Sequence, residues 1–442
     1  MRIPIESNVG QQWFILDGSL AVGRRPNRST AVSRRPTTAV YICGRNIPSD
    51  MARVLIAPAD TRLSNLRYGK SYNVLNNMTA DDVTIDALVG EEETAVEAQN
   101  VHVRELGTQN RLQYYGRSFR TAAREIRAGS VDIYHHMNLS YRWFNPVLLA
   151  GIAADTPTVL GPCQTGHAIM AEEFNNMLSQ AVGYELPLPV SNAVYYPMNA
   201  VRDVTIDPVR MSLFRRTLEA ADRITVVHEE AREAYARHVD ESKIDVIPLG
   251  VDAELFEFTE RQDTQTLVAI GRLEQRKGYD VLLDALANVV EAFPNVHLDV
   301  FGEGPEEQAL REQAASLGVA DNVTFHGYVD QSVVRDHLAR ARAFVHPSRS
   351  ESFSLVRLEA MAVGCPVVVT ETAGAHEMVR DGKEGFVVPT EAAEPIADAL
   401  LELLSDFELT RAMGARARER VERNYDWRAI GQQYVDLYRS LL

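Results

Sequence analysis

Residues 344–366 read FVHPSRSESFSLVRLEAMAVGCP, and the reading of that stretch decides the fold. The apolar pair Phe344 and Val345 reads as the end of a strand, 346–352 as a loop, and 353–363 as a helix. A helix that starts directly off a strand turns free backbone N–H groups and a positive end toward the loop, which suits an anion. Two carboxylates bracket the helix start, Glu351 before it and Glu359 within it, with seven residues between them. Carboxylates do not contact an anion directly, but they accept hydrogen bonds from hydroxyl groups on either side of it. A diphosphate flanked by two sugars has that pattern of charge, so the stretch predicts a nucleotide-sugar site at the edge of a parallel α/β sheet.

The chain around it has 442 residues, 45% of them hydrophobic, with 26 Gly and 19 Pro, which is room for two sizeable cores. A net charge of −16 argues against a nucleic-acid partner, because phosphate backbones select basic faces. Lysine occurs only at Lys70, Lys243, Lys277 and Lys383, the other basic residues being Arg. An acidic, lysine-poor composition fits a halophilic-like cytoplasm, where a charged surface keeps a protein hydrated. It fits GC-rich coding equally well. Either way, a lysine in a motif stands out from its background. The cysteines, Cys43, Cys163 and Cys365, form neither a disulfide framework nor a zinc spacing, which points to a reducing cytosol. No apolar run approaches the ~18 residues that would cross a bilayer, and no signal peptide is evident. The expected location is cytoplasmic, with room for peripheral contact at the inner membrane face.

Residues 1–50 differ from the rest. They carry seven Arg against three acids, a net +4 in a chain of −16, so the remainder is −20. The segment RRPNRSTAVSRRPTTA has no amphipathic period and reads as disordered. A strand, MARVLIAPAD, opens at Met51. Two readings follow: Met51 is the natural start and 1–50 a non-native extension, or 1–50 is a basic disordered tail.

From residue 51 short apolar strands alternate with helical stretches, the signature of a parallel sheet. The pattern predicts strands at 53–57, 83–89, 101–103, 131–135, 158–160, 223–227 and 245–247. It predicts helices at 72–78, 114–128, 146–154, 208–220 and 230–238. Ligands of open parallel sheets sit beyond the carboxyl ends of the strands, which singles out the loops 60–70, 135–138, 161–167 and 228–230. In GPCQTGH, at 161–167, Gly161 and Gly166 free the backbone while Gln164 and His167 offer polar groups. His135 and His136 end a strand and point to opposite faces, a pattern of satisfied structural histidines. Residues 172–204 are apolar and aromatic, with Pro187, Pro189 and Pro197 and no period. That segment suits a lid, an acceptor groove, a membrane-surface contact or a packed irregular insert.

A connector, IPLGVD followed by FEFTERQDTQ, leads to a second α/β unit. Strands are predicted at 267–271, 297–301, 323–325, 343–345 and 367–370. Helices are predicted at 279–292, 305–317, 331–340, 353–363, 375–380, 395–405 and 408–424. GRLEQRKG, at 271–278, places Arg272 and Lys277 at a strand's carboxyl end, where a guanidinium fork and a compact ammonium can neutralise a diphosphate. FGEGP brings Gly302 to the same edge, against a nucleoside, and HGYVD brings Tyr328. AGAHE offers Gly374 as a phosphate or sugar contact, and 381–389 reads as a structural hairpin. No Asp-x-Asp pair and no His/Cys ligand spacing appears at these strand ends, so no metal and no cofactor are expected.

With these residues in view, the chain resembles the GT-B glycosyltransferases, in particular the large retaining family 4. The resemblance rests on GRLEQRKG, FGEGP, HGYVD, the Glu-seven-Glu stretch, AGAHEMVRDGKEGFVVP, IPLGVD and the final YDW at 425–427. It is strong over about 245–430 and mainly architectural over 51–245, where ADRITVV at 221–227 also matches. It implies two Rossmann-like domains facing a cleft. An acceptor-side domain would span 51–250 and a nucleotide-sugar-binding domain 251–425. A crossover helix at 426–442 would pack back on the first domain. By the same resemblance Arg272 and Lys277 bind the donor diphosphate, Glu351 the sugar hydroxyls, and Glu359 the ribose. Backbone across Ser352, Phe353, Ser354 and Leu355 meets the phosphate. The implied reaction is metal-independent transfer from a nucleotide diphosphate sugar, with retention, to a glycan, lipid-linked or small hydroxyl acceptor. The expected catalytic set is Glu351, Lys277, Arg272 and His167. Two family features are missing. TRLSNLRYGK stands where a Gly-Gly loop follows the first strand, and Gln164 or His167 stands nearest to a mid-domain histidine. Both lie on the acceptor side. A sugar-nucleotide epimerase or hydrolase, and a non-catalytic nucleotide-sugar-binding subunit, remain open on the same scaffold.

Overall fold

The computed structural model describes residues 41–42, 45–46, 51–63, 70–108, 110–137, 151, 154–163 and 207–442. It separates into Met1–Ser49 and Asp50–Leu442. In the first unit the short strands Tyr41–Ile42 and Arg45–Asn46 pair antiparallel. The rest of the segment expected to be disordered lies outside the described residues, as do the loop at 164–167 and the insert at 172–204.

The second unit holds two parallel sheets. The first has seven strands: β1 (Ala52–Leu63), β2 (Val83–Glu92), β3 (Val101–Glu105), β4 (Ile133–His136), β5 (Thr158–Cys163), β6 (Arg223–Val226) and β7 (Ile244–Val246), in spatial order β3-β2-β1-β4-β5-β6-β7. Val54, Leu55, Ile56 and Ala57 of β1 are fully buried, as a strand covered on both faces requires. Helices α1 (Lys70–Asn77), α2 (Arg111–Arg127), α3 (Asp207–Ala220) and α4 (Glu229–Ala236) belong to this half. Arg53 closes the amino end of the sheet. Its guanidinium bonds Asp86 at 2.5 Å, Glu125 at 3.0 Å and the Ser130 carbonyl at 2.7 Å, so a buried charge is fully partnered. β5 runs three residues past its expected end. Gly161 therefore belongs to the strand, not to a ligand loop, and the absence of its side chain lets Thr225 approach: a Cβ there would lie 2.0 Å from Thr225 Oγ1.

The second sheet has six strands: β8 (Thr266–Ile270), β9 (His297–Phe301), β10 (Val323–Gly327), β11 (Ala343–His346), β12 (Val367–Thr370) and β13 (Gly385–Val388), in order β10-β9-β8-β11-β12-β13. The order reverses beside β8 and β11, which places a ligand crevice between their carboxyl ends. Helices α5 (Tyr279–Ala292), α6 (Glu307–Ser316), α7 (Gln331–Arg340), α8 (Leu355–Ala362), α9 (Ala375–Met378), α10 (Ala393–Ser405) and α11 (Phe407–Asn424) surround it. α5 buries Val281, Leu282, Leu283, Leu286 and Val289 in one cluster with Leu400 and Leu403 of α10. The hairpin expected at 381–389 is instead a parallel edge strand. β13 pairs with β12 from Val367↔Gly385 to Thr370↔Val388, and Gly385 is pressed against the Val367 backbone. The turn residues around Gly382 end the preceding segment without reversing the chain onto it.

Helix α12 (Trp427–Arg439) crosses back to the first sheet. It buries Trp427, Ile430, Gly431, Tyr434, Val435 and Tyr438, a three-and-four spacing that makes one apolar face. Gly431 admits α1 closely, since a Cβ there would meet the Asn77 carbonyl at 2.0 Å. Two aromatics seat the helix on His135. Tyr434 stacks on the imidazole at 5.7 Å, and Tyr438 Oη lies 2.6 Å from Nδ1. The other nitrogen, Nε2, donates to the Gly161 carbonyl at 2.9 Å, so Nδ1 is the acceptor of the tyrosine proton. His135 is thus a satisfied structural histidine, fully buried, and burial draws its pKa down to about 3.

Replacing Tyr438→Phe strands a buried acceptor, and the expected cost is about 1–3 kcal/mol in denaturant unfolding. A neutral His135 also makes folding stability depend on pH. Its contribution is complete above the unfolded value near 6.5 and erodes as pH falls toward about 3. The melting temperature is expected to drop on acidification below pH ~6.5, and a flat profile would exclude this linkage.

Candidate functional site

The loops at the carboxyl ends of β8 and β11 are built to meet. After β8 the chain makes a single 3-10 turn, Gln275–Lys277, and Gly278 takes a left-handed conformation with φ 67°. A Cβ at Gly278 would lie 2.1 Å from the Pro347 carbonyl, so a larger residue would push the two loops apart. Arg349 then fastens them. It bonds both carboxylate oxygens of Asp280 at 2.8 and 2.7 Å, the Gln275 carbonyl at 2.5 Å and Glu391 at 2.8 Å. The hydrogen bond to Asp280 is the main reason its guanidinium titrates above the usual arginine range. Arg349 carries no motif role in the sequence, yet it fixes the site's geometry.

The consequence is an ion pair between Lys277 and Glu351, whose side chains are 11% and 13% exposed. Both were expected at the donor, but on different parts of it. The structure brings them together. Arg272 goes elsewhere: it bonds Glu274 at 2.5 Å and its side chain is 70% exposed. Behind the pair lies His346, its Nε2 at 3.7 Å from Glu351 and 3.1 Å from Ser348 Oγ. Burial, and then the charges of Lys277, Arg357 and Arg276, hold His346 well below the usual imidazole range, so it is neutral.

Arg357 is the residue that sequence reasoning missed. Among the described residues it heads the large side chains buried below 2% exposure. One amino group reaches His346 Nδ1 at 3.4 Å and Thr372 Oγ1 at 3.2 Å, beneath the ends of β11 and β12. Its Nε has no partner among the described residues. Burial draws its pKa to about 10, still well above neutrality, so it stays charged. Its position inside the Glu-seven-Glu stretch was the available signal. An arginine on the buried face of a short apolar helix, three residues from its cap, has no structural reason to be there.

α8 starts two residues later than the sequence suggests. Ser354 is its cap, accepting from the Arg357 N–H at 3.3 Å, and Phe353 is buried in the turn before it. The helix still points its positive end toward the loop that holds Glu351. Ser352 is tied to the first sheet, because His228 Nε2 donates to its carbonyl at 3.1 Å while His228 Nδ1 caps α4 through Ala231 N–H at 3.0 Å. Gly374 does not present its N–H to a ligand as expected. That group donates to Glu230 at 3.3 Å, and the glycine packs on the His228 ring.

Gly302 has φ 131° and sits against the Gly271 carbonyl, where a Cβ would lie at 2.0 Å. Its N–H donates to the Gly327 carbonyl at 2.8 Å, which aligns the ends of β8, β9 and β10. Tyr328 follows, 71% exposed. Glu359, on α8, faces a different space from Glu351. It is 3% exposed and bonds Gln331 Nε2 at 3.3 Å. With Leu355 it lines a cavity of about 500 Å³ whose opposite wall includes Tyr72, Asn73 and Asn76 of α1. Lys277 and Glu351 do not line that cavity. His167 and Gln164 lie outside the described residues.

Two family models match the chain: "Glycosyltransferase Family 4" over residues 72–255 and "Glycosyl transferases group 1" over 251–420. Among curated proteins, the chain is 34% identical to the GDP-mannose-dependent alpha-(1-6)-phosphatidylinositol monomannoside mannosyltransferase of Mycobacterium tuberculosis, over 53% of this chain and 66% of that protein. It is 36% identical to the phosphatidyl-myo-inositol mannosyltransferase of Mycolicibacterium smegmatis, over 44% of this chain and 51% of that protein. The chain therefore spans just under two thirds, or less, of these relatives' lengths. In structure it is similar to Anabaena HepE solved with UDP, at TM-score 0.61 and 18% identity over 88% of this chain and 100% of that one. It is also similar to the sucrose-phosphate synthase of Thermosynechococcus elongatus, at TM-score 0.62 and 20% identity over 88% and 99%. Two parallel sheets joined by a crossing helix, a stapled loop pair at the switch point, and two abutting family models lead to one conclusion: the chain belongs to glycosyltransferase family 4, with the GT-B fold.

Proposed function

We propose that the protein transfers a sugar from a nucleotide diphosphate sugar to a hydroxyl acceptor, with retention of configuration and without a metal. The observation that carries this reading is the charge balance beneath the 346–352 loop. Lys277 is paired with Glu351, while Arg357 is buried, bonded to His346 and Thr372, and has among the described residues only that same Glu351 as a nearby carboxylate. Two cations on one carboxylate leave a surplus charge, which is expensive to bury unless something anionic arrives. A diphosphate supplies that anion. On binding, Lys277 turns from Glu351 to the phosphate. Glu351 is then released to accept hydrogen bonds from the sugar hydroxyls, and the helix start at Ser354 and Leu355 faces the same oxygens. Glu359 takes the ribose from the opposite side of α8.

In the transfer step the acceptor oxygen bonds to the anomeric carbon as the bond to the diphosphate breaks. The acceptor's proton passes to the departing phosphate oxygen, on the same face of the sugar. Lys277, with Arg272 turned inward, stabilises the charge that develops there, which is the work a metal does in other enzymes. His167 is placed by this reading on the acceptor side. The relatives' names favour GDP-mannose as donor and a lipid-linked acceptor. No described helix is long and apolar enough to cross a membrane, and a lipid-linked acceptor requires only peripheral contact at the inner face.

Lys277→Ala and Glu351→Ala are each expected to lower transfer by on the order of 10²–10³. Full activity in both would overturn the proposal, and release of free sugar at the same rate with and without acceptor would favour a hydrolase. In a thermal-shift panel of GDP-, UDP- and ADP-sugars, the true donor is expected to raise the melting temperature. A panel without any shift argues against a donor site.

Arg357→Met separates binding from stability. Removing a buried surplus charge is expected to leave the fold as stable, or more so by about 1–4 kcal/mol. The same change is expected to weaken donor binding by on the order of 10-fold, the effect of one charge across a low-dielectric site. Unchanged donor affinity would restrict Arg357 to packing.

A further inference from the structure

A second group of chemically capable side chains lies away from the loops that hold Lys277 and Glu351. Asp299 of β9, His326 of β10 and His337 of α7 bring one ligand-type atom each to within 4.8 Å of one another. The spacing argument found no ligand set, because the three residues come from three elements and the closest pair in space, His326 and Asp299, is 27 residues apart in sequence. Only the sheet register and the docking of α7 bring them together.

The protonation pattern suits a cation. His337 Nδ1 lies 2.8 Å from the Val333 carbonyl, one helical turn back. A carbonyl only accepts, so Nδ1 carries the proton and the neutral ring keeps its lone pair on Nε2. Fixing one ring nitrogen on a carbonyl so that the other can ligate is the usual arrangement around metal-bound histidines. His326 Nε2 lies 2.7 Å from Asp299 Oδ1, with a proton between them that a cation can replace. Asp299 is itself only 9% exposed, and His297 borders it, with Nε2 at 3.8 Å from the carboxylate and 2.8 Å from Thr324 Oγ1. The rings are held in place. Phe301 stacks on His326 at 4.5 Å and meets His337 edge-on at 4.8 Å.

We propose that Asp299, His326 and His337 form a binding site for a divalent transition metal of the zinc class. Two imidazoles and one carboxylate suit zinc or its neighbours and are a poor match for magnesium, which prefers an all-oxygen shell. Bonds of about 2.1 Å bring the three atoms to about 3.4 Å from one another, a closure that side-chain rotation supplies. Binding joins β9, β10 and α7, and so stiffens the wall that carries Gly302 and Tyr328. The site takes no part in the transfer step, and its existence does not depend on the protein's being a transferase.

The test is calorimetry on the chelator-stripped full chain with zinc chloride, and with magnesium chloride as control. The expected result is one equivalent of zinc and no heat with magnesium. His326→Gln and His337→Gln are each expected to weaken zinc binding by at least about 10-fold. No uptake by the wild type, or uptake that persists unchanged in either variant, overturns the site. If a variant does not fold, X-ray absorption of the zinc-loaded wild type decides: two imidazoles in the metal shell support the site, and none overturns it.

Discussion

The contact between Gly278 and the Pro347 carbonyl is the constraint on which the arrangement of the 271–278 and 346–352 loops depends. It lets two loops from adjacent strands touch backbone to backbone, and Arg349 holds them there from four directions. Only with that contact made can Lys277 and Glu351 share a buried ion pair, since each hangs from a different loop. The pair in turn sets the electrostatics behind it. His346 is neutral because burial and the surrounding cations both oppose a proton. Arg357 is left as the surplus charge. In the proposed transfer, a ligand that brings two phosphates would balance that surplus charge.

The first sheet is coupled to this arrangement through few groups. His228 reaches the Ser352 carbonyl, and the Glu377 carboxylate takes the N–H groups at the start of α4 at 2.9 and 3.3 Å. The second link is α12, whose aromatic face is anchored on His135. One connection is polar and reaches the loop that holds Glu351; the other is largely aromatic. Polar contacts between charged groups and backbone exchange readily with water, whereas burying Trp427, Tyr434 and Tyr438 does not.

Much of this was legible in the sequence, for identifiable reasons. Strand and helix positions followed from apolar period, and α5 and α7 fall on their expected bounds because Gly278 and Asp330 mark their starts. The strand Gly385–Val388 was misread because Gly382 and its neighbours look like a hairpin turn, and nothing local says that the next partner is β12. The Glu-seven-Glu spacing revealed both carboxylates and their division between two sides of the helix start, and Glu359 lines a cavity that Glu351 does not. Arg349, the Asp299–His326–His337 group and the partners of Arg357 were illegible for one shared reason. Each draws its meaning from partners on other strands, and sequence distance hides such partners.

The chain's choice of basic residues closes the physical argument. Arginine serves nearly everywhere, and only four lysines occur. Arg349 shows what the guanidinium does well: a planar fork bound bidentately to Asp280 is rigid and hard to release. That is the right property for a staple and the wrong one for a group that must leave a carboxylate when substrate arrives. An ammonium is a compact charge on a flexible stem, with no fixed fork to break, and it can turn from Glu351 to a phosphate oxygen at little orientational cost. In the proposed transfer, lysine at 277 is thus suited to a movable countercharge, set between an arginine that staples the loop and a buried one beneath it.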